Sequence, residues 1–256
     1  MLVVHGALAV VVAIATAGCR TKPAARSDEP SPDPVTLTSA RPPDAPTLKA
    51  QMRDHDVHGG AMRDAVIRAD LARARAEAKV LAELRVGGGV EAPWHKQLDA
   101  MNAAAKRVVD ARDIAEMSRG VAGVARTCGD CHATLGGPGF KVDEAPEPSS
   151  DVASHMKRHQ WAATRLWDGL VAPNRESWRA GARVLTDAPL QPELLTPGKS
   201  PVPAIGALAA SVHELGQKAL VVESAADRAA VYGELLRTCS ACHERLGGGP
   251  AGERRP

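Results

Sequence analysis

The chain has 256 residues, of which 24% are charged and 2% aromatic, and its net charge at pH 7 is +2. So small a net charge gives no reason to expect a nucleic acid or an anionic surface as partner, and we predict no nucleic-acid binding. After the apolar N-terminal segment, about 235 residues remain, enough for two domains of ordinary size. Ala, Val and Leu must fill most of any core, because the chain has only one Tyr, one Phe and four Trp.

Residues 1–19 have the features of an export signal. The run from Leu2 to Gly18 is almost entirely apolar, and small residues precede Cys19. This ending resembles the lipobox of bacterial lipoproteins, in which the Cys becomes the lipidated N-terminus. We therefore predict a lipid anchor at Cys19, on the periplasmic side of a bacterial membrane. A signal peptide cut at another position and an uncleaved anchor helix are the alternatives.

Three later segments have the composition of linkers. Residues 20–47 are rich in Pro, Ser, Thr and Asp and cannot bury a core, so they predict a disordered tether. Residues 138–151 predict a shorter linker, and residues 249–256 a loose tail. The prolines of the tether are Pro23, Pro30, Pro32, Pro34, Pro42, Pro43 and Pro46.

Between these segments the chain contains one unit twice, in residues 48–137 (the first half) and 152–248 (the second half). Near the C-terminal end of each half the two copies are offset by 111 positions, so that Cys128 corresponds to Cys239. Upstream the offset is 104 positions, so that His55 corresponds to His159. The difference of seven residues falls in a loop, which is Pro-rich at 187–203 in the second half.

Each half predicts four amphipathic helices and no strand. Helix two begins at the N-cap residues Asp70 and Asn174, and helix three covers 94–110 and 205–222. Helix four ends at glycines in both halves. We predict an all-α fold of two tandem four-helix bundles. The stripe of helix one consists of Leu48, Met52, His55, Gly59, Met62 and Val66, and its copy of Val152, Met156, His159, Ala163, Leu166 and Leu170.

Helix four of each half contains a C-x-x-C-H motif, the attachment sequence for c-type haem. Positions i, i+3 and i+4 share one helix face, so two thiols can bond one porphyrin while the adjacent imidazole reaches its iron. We therefore predict two covalently bound haems. A thioredoxin-like redox pair and a zinc site of two C-x-x-C knuckles are the alternatives, but neither requires the His. The motif residues are Cys128, Cys131, His132, Cys239, Cys242 and His243.

With this motif near the end of its last helix, each half resembles the cytochrome c-prime family. The resemblance covers nearly all of residues 48–136 and 152–248. It implies a four-helix bundle with one covalent haem, in a periplasmic protein for electron transfer or for binding small gases such as nitric oxide. It also implies that the second axial position lies on helix one, where family members have an apolar residue or Met.

Two residue pairs compete for that second axial position. His55 and His159 occupy one position of the repeat, and Met52 and Met156 lie one turn earlier on the same face. Either type binds iron, and Met opposite His raises the reduction potential relative to two His ligands. A lone His on an apolar face is ordinarily a hydrogen-bonded core residue, but this position is occupied twice and faces an interior that must contain haem. A Met in a helix stripe is ordinarily core filler, so we favour the His pair.

The other histidines and the tryptophans lack such repetition. We predict the histidines at the surface and the tryptophans in packing roles, such as against porphyrin edges. These histidines are His58, His95, His155 and His213, and the tryptophans are Trp94, Trp161, Trp167 and Trp178.

The favoured function is a membrane-tethered di-haem carrier that passes electrons between redox partner proteins and is not an enzyme. Protein ligands on both faces of each iron would leave no open position for a substrate. The second hypothesis, a gas-binding or gas-scavenging protein, needs an open distal face, against which the repeated His and Met argue. A di-haem peroxidase needs acid–base groups beside the haem, and the apolar stripes contain no clustered acidic residues.

Overall fold

The computed structural model describes residues 45–84, 92–196 and 203–246. These ranges contain helices and no strand, so the predicted all-α class is confirmed. Cys19, residues 20–44 of the predicted tether and the tail 249–256 lie outside the described residues. The helices are α1 (Ala45–Ile67), α2 (Leu71–Glu83), α3 (Ala92–Val109), α4 (Ile114–Leu135), α5 (Val152–Val171), α6 (Arg175–Leu185), α7 (Pro192–Leu195), α8 (Pro203–Val221) and α9 (Ala225–Leu246).

The helix boundaries follow local capping chemistry. The Asp70 carboxylate accepts a hydrogen bond from the Arg73 backbone N–H at 2.9 Å, and so begins α2 as predicted. The Asn174 side chain likewise accepts from the first backbone N–H groups of α6. At the C-terminal end of α4, Gly136 has φ 87°, a backbone conformation that residues with a side chain disfavour. Helix two of both halves therefore begins, and helix four of the first half ends, where the sequence predicts.

One helix was not predicted. The four-residue α7 lies in the Pro-rich loop of the second half, directly after Leu190 and Gln191. Pro192 occupies its first position, where the missing N–H costs nothing because that group has no intrahelical acceptor. Hydrophobic periodicity cannot reveal a single turn of this kind.

The helices pack in two sets that share one core. α1, α2, α3 and α4 contact one another in chain order, and α5, α6, α8 and α9 do the same. α4 also packs along α9, while α1 contacts α9 and α5 contacts α4. The buried apolar side chains consequently form one continuous cluster that draws on both halves of the chain.

Alanines occupy many core positions, and the two largest fully buried side chains, Trp178 and Tyr232, are hydrogen-bonded. Alanines at many interior positions are fully buried, which lets the helices approach closely. The buried Trp178 indole donates from Nε1 to the Ala219 carbonyl at 2.7 Å. The Tyr232 hydroxyl donates to the Ala163 carbonyl at 3.0 Å. Trp178 and Tyr232 thus satisfy their donors when they leave water.

The connection between α4 and α5 has no regular secondary structure and contacts the second half. Arg165 of α5 forms an ion pair with Asp143 at 2.5 Å, and Asn174 donates from Nδ2 to the Phe140 carbonyl at 3.2 Å. These contacts fix the path of the chain into α5. None of the helices in the described ranges is long and apolar enough to cross a membrane.

Candidate haem-attachment sites

Each C-x-x-C-H motif lies in the last turns of its helix, Cys128, Cys131 and His132 in α4 and the second copy in α9. All four motif cysteines are free thiols of intermediate burial. In both helices one face just before the motif is buried, with Thr127 in α4 and Thr238 in α9, so the motif continues the buried face. Thiols and imidazole therefore lie where the core meets the helix end.

The protonation of these thiols distinguishes them from a redox dithiol. Burial raises the pKa of Cys128 to about 12, and burial likewise raises the pKa of Cys239 to about 12. A catalytic C-x-x-C pair works through a thiolate whose pKa is lowered towards neutrality by positive neighbours or a helix N-terminus. Here the cysteines lie near helix C-termini and stay protonated at neutral pH, which argues against the thioredoxin-like alternative.

The zinc-knuckle alternative requires the two cysteine pairs to converge. In residues 45–84, 92–196 and 203–246, one group of three or more His, Cys, Asp or Glu side chains could hold a metal, and it contains no cysteine. A structural zinc site of this type would bring four thiolates, or thiolates with His, to one ion. The thiol arrangement in the described part of the chain does not fit that site.

A backbone carbonyl fixes the tautomer of each motif histidine. His132 Nδ1 lies 2.6 Å from the Val171 carbonyl oxygen, and His243 Nδ1 lies 3.1 Å from the Ile67 carbonyl oxygen. A carbonyl can only accept, so Nδ1 carries the proton in each neutral ring. The lone pair is then on Nε2, and such an outer hydrogen bond orients the ring of a metal ligand and increases its basicity. Both imidazoles are prepared to coordinate through Nε2.

The two carbonyls come from equivalent helix ends in the opposite halves. Val171 is the last residue of α5 and Ile67 the last of α1. Carbonyls in a final helical turn lack intrahelical partners. At the end of α1, Asp70 N–H bonds the Ala65 carbonyl at 2.8 Å and Ala69 N–H bonds the Val66 carbonyl at 2.9 Å. Each motif histidine therefore binds the end of helix one of the other half.

The predicted distal histidines are half-buried and carry unpartnered nitrogens. Nε2 of His55 and Nε2 of His159 are both buried without a hydrogen-bond partner. Burial lowers the pKa of His55, and nearby His132 lowers it further. Burial also lowers the pKa of His159, to about 3, with contributions from His155, His213 and His243. Each distal candidate is thus neutral and electrostatically close to the motif histidine of its own half.

The unpartnered Nε2 atoms of His55 and His159 are the feature that bears on haem binding. A buried ring nitrogen without a hydrogen bond is costly unless something binds it, and it occurs here at both copies of one repeat position. Met52 and Met156 are half-buried one turn away on the same helices. A thioether is a weak acceptor and loses little when unbound, so the unpartnered nitrogens favour the His pair. Imidazole nitrogens of this kind are donors that haem iron binds.

The prediction that the remaining histidines lie at the surface is wrong for two of them. His155 and His213 are buried, with 6% and 8% of their surface exposed, although both were predicted at the surface. His58 is half-buried and its Nδ1 contacts the Glu77 carboxylate at 2.6 Å, whereas His95 is exposed as expected. A usable signal was present, because His155 and His159 are four residues apart and so share a helix face.

A close approach of α4 to α5 makes Gly129, inside the first motif, difficult to replace. A Cβ atom at Gly129 would lie 2.1 Å from the Leu170 carbonyl oxygen, which is backbone and cannot move aside. We expect Gly129→Ala to push apart α4 and the end of α5, and with it the contact between His132 and Val171. The free energy of unfolding should fall by about 3 kcal/mol, measurable by chemical denaturation.

Ser240 provides the matched control, since it occupies the position of Gly129 in the second motif. Its side chain is already accommodated, with 1% exposure and a buried hydroxyl that has no partner. Ser240→Ala removes only that unsatisfied hydroxyl and should change the free energy of unfolding by less than about 1 kcal/mol. Equal destabilisation by both variants would contradict the close approach at Gly129.

In each half the candidate site consists of two thiols, one imidazole whose tautomer a backbone carbonyl fixes, and one imidazole with an unpartnered nitrogen. Comparison of the chain with family models, with curated proteins and with solved structures gives no match. The chemistry of these side chains and their arrangement in the described helices therefore carry the functional argument.

Proposed function

We propose that this protein is a di-haem c-type cytochrome that carries electrons between redox partner proteins. The observation that carries the proposal is the repeated C-x-x-C-H motif whose histidine, in both copies, has its Nδ1 bonded to a helix-end carbonyl. When bound, a c-type haem supplies one-electron exchange at its iron. The further assignment to two tandem bundles of the cytochrome c-prime type rests on the sequence resemblance of each half.

The residues have separate roles in this proposal. The motif cysteines hold the cofactor through thioether bonds, and His132 and His243 offer Nε2 as proximal ligands. His55 and His159 offer the unpartnered Nε2 atoms as distal ligands, with Met52 and Met156 as the alternatives. Val171 and Ile67 orient the proximal rings through their carbonyls.

The arrangement favours a carrier over a gas-binding protein or a peroxidase. With a protein nitrogen available on both faces, no coordination position is left for an external ligand. The rings also have little freedom, because each proximal imidazole is hydrogen-bonded to a packed helix end. A site whose ligands are held in place and change little between oxidation states keeps reorganisation small, which suits electron transfer.

The wild-type protein, expressed with haem-maturation machinery, tests the function directly. We expect the intact mass to exceed that of the processed polypeptide by two haems, and the haem to remain attached after denaturation. Absorption and electron paramagnetic resonance of the oxidised protein should show six-coordinate, low-spin iron at both sites. High-spin iron with rapid carbon monoxide binding at both haems would contradict the carrier and favour the gas-binding function.

The proposal includes export and attachment to a membrane through Cys19, which lies outside the described residues. We expect Cys19→Ser to release the protein from the membrane fraction or to stall its processing, because no thiol remains for lipidation at the end of the apolar run. Fractionation followed by haem staining or immunoblotting measures this. Unchanged membrane attachment in the variant would support an uncleaved anchor helix instead.

A further inference from the structure

Three histidines of the second half converge inside the protein. His155 and His159 lie one turn apart on α5, and His213 reaches them from α8. One ligand nitrogen from each ring can be chosen so that all three lie within 4.8 Å of one another. The ring centroids of His155 and His159 are 4.3 Å apart, and those of His159 and His213 are 5.3 Å apart.

Two of the three rings have a buried nitrogen without a hydrogen-bond partner. Nε2 of His159 and Nδ1 of His213 are buried without hydrogen-bond partners. Burial lowers the pKa of all three rings, and in each case neighbouring groups modify the shift. The rings are therefore neutral at pH 7, the form in which imidazole binds a metal.

Polar groups lie near two of the three rings. The backbone of Ser149 is close to the His155 ring. The backbones of Leu185 and Asp187 are close to the His213 ring. The Asp187 carboxylate is also close enough to raise the pKa of both His155 and His213. Such carbonyl and carboxylate neighbours fix ring orientation and increase ligand basicity.

The first half lacks this arrangement at the corresponding positions. By the offsets of the repeat, His155 corresponds to Gln51 and His213 to Asn102, while only His159 has a histidine counterpart, His55. The Asn102 side chain donates from Nδ2 to the Leu84 carbonyl at 3.2 Å. The second half therefore has two imidazoles where the first has two amides, and imidazole is much the better ligand for a transition metal.

We propose that His155, His159 and His213 form a binding site for one divalent transition-metal ion of the zinc type. Tetrahedral zinc with Zn–N bonds of about 2.1 Å places its nitrogens about 3.4 Å apart. The rings reach that spacing from at most 4.8 Å by small side-chain rotations. Three imidazoles and no oxygen ligand select Zn²⁺, Cu²⁺, Ni²⁺ or Co²⁺ over Ca²⁺ and Mg²⁺. The fourth position is left for water.

The metal and the second haem compete for one ligand. His159 Nε2 is the proposed distal ligand of the second haem and also a member of the three-histidine site. An ion bound at this site would make His159 unavailable to a second haem, while His55 would remain available to the first. This consequence rests on the proposed function, whereas the metal site itself does not.

Zinc binding to the full purified chain tests the site without reference to haem. Equilibrium dialysis with Zn²⁺, followed by elemental analysis, should give one tightly bound ion per chain. His155→Gln and His213→Asn each install the residue of the first half, and each should weaken zinc binding about 100-fold or more. His95→Gln, at an exposed histidine, is the matched control and should leave zinc binding unchanged.

Two outcomes would overturn the site. The first is the absence of stoichiometric zinc binding by the wild type. The second is tight binding that survives both His155→Gln and His213→Asn. Circular dichroism should show that each variant keeps its helices. Because each substitution is tested alone, the other variant still tests the site if one of them folds poorly.

The spin state of the haems in the haem-loaded protein tests independently whether His159 binds the zinc ion. In protein whose zinc-free spectrum shows two low-spin haems, saturating Zn²⁺ should convert one haem to the high-spin form. Zinc is redox-inert and colourless, so the haem spectrum stays readable. An unchanged spectrum at full zinc occupancy would exclude His159 from the metal site. Failure of the haem proposal would instead appear before zinc is added, as absent or high-spin haem.

Discussion

Replacing Cys128 and Cys131 together by Ser should halve the covalently bound haem of the protein. The hydroxyl of Ser does not form the thioether bond, so the first half would lose its attachment while the second half keeps its own. Intact-mass measurement should show one haem in place of two, and haem staining of a denaturing gel should fall to about half. The effect is all-or-none at one site, which makes it the clearest test of the proposal.

The chain provides its own matched control for this experiment. Replacing Cys239 and Cys242 together by Ser should remove the other haem and leave the first in place. A variant that replaces all four residues should carry none, yet should keep its helices by circular dichroism, because these half-buried thiols lie at the edge of the core. An unchanged mass after either pair is replaced would contradict haem attachment at that motif.

The second large effect is expected from the distal histidines. His55→Ala removes the unpartnered nitrogen that faces the first site, so one haem should change from six-coordinate low-spin to five-coordinate high-spin iron. That haem should then bind carbon monoxide or nitric oxide readily, while the other does not. His159→Ala should have the same effect on the second haem. Electron paramagnetic resonance and carbon monoxide titration measure both changes, from no responsive haem to one per chain.

Met52→Ala and Met156→Ala are the controls for ligand identity. They lie one turn from the histidines on the same helices and should leave the low-spin spectrum unchanged. If the methionine variants produce the change of spin state and the histidine variants do not, the distal assignment is wrong although the haem sites stand. If the wild type already binds gas at both haems, electron carriage through six-coordinate iron is contradicted.

The helices could be predicted because their signals are local. The stripes of α1 and α5, the caps at Asp70 and Asn174 and the glycine after α4 each operate within a few residues of the chain. The motif residues share a face for the same reason, since spacing along one helix determines it. These features were accessible from the sequence, although the single turn α7 and the shared face of His155 and His159 were missed.

Contacts between distant helices were not accessible in this way. Nothing in the local sequence indicates that His132 meets Val171 or that His243 meets Ile67, because these contacts depend on how α4 and α9 pack with α5 and α1. The burial of His213 was missed for the same reason. It has no histidine at the corresponding position of the first half, and only the packing of α8 on α6 brings it inside.

The reciprocal bonds of His132 and His243 relate the halves as two subunits are related across a two-fold axis. The same pair of surfaces is used twice, each half donating an imidazole N–H and each accepting at its helix end, which is an isologous interface. Residues 136–151 act as the covalent connection of such a dimer and make its association unimolecular, at a high effective concentration. The covalent connection also lets the two copies carry different residues at corresponding positions, such as Gln51 and His155, which two identical subunits could not do.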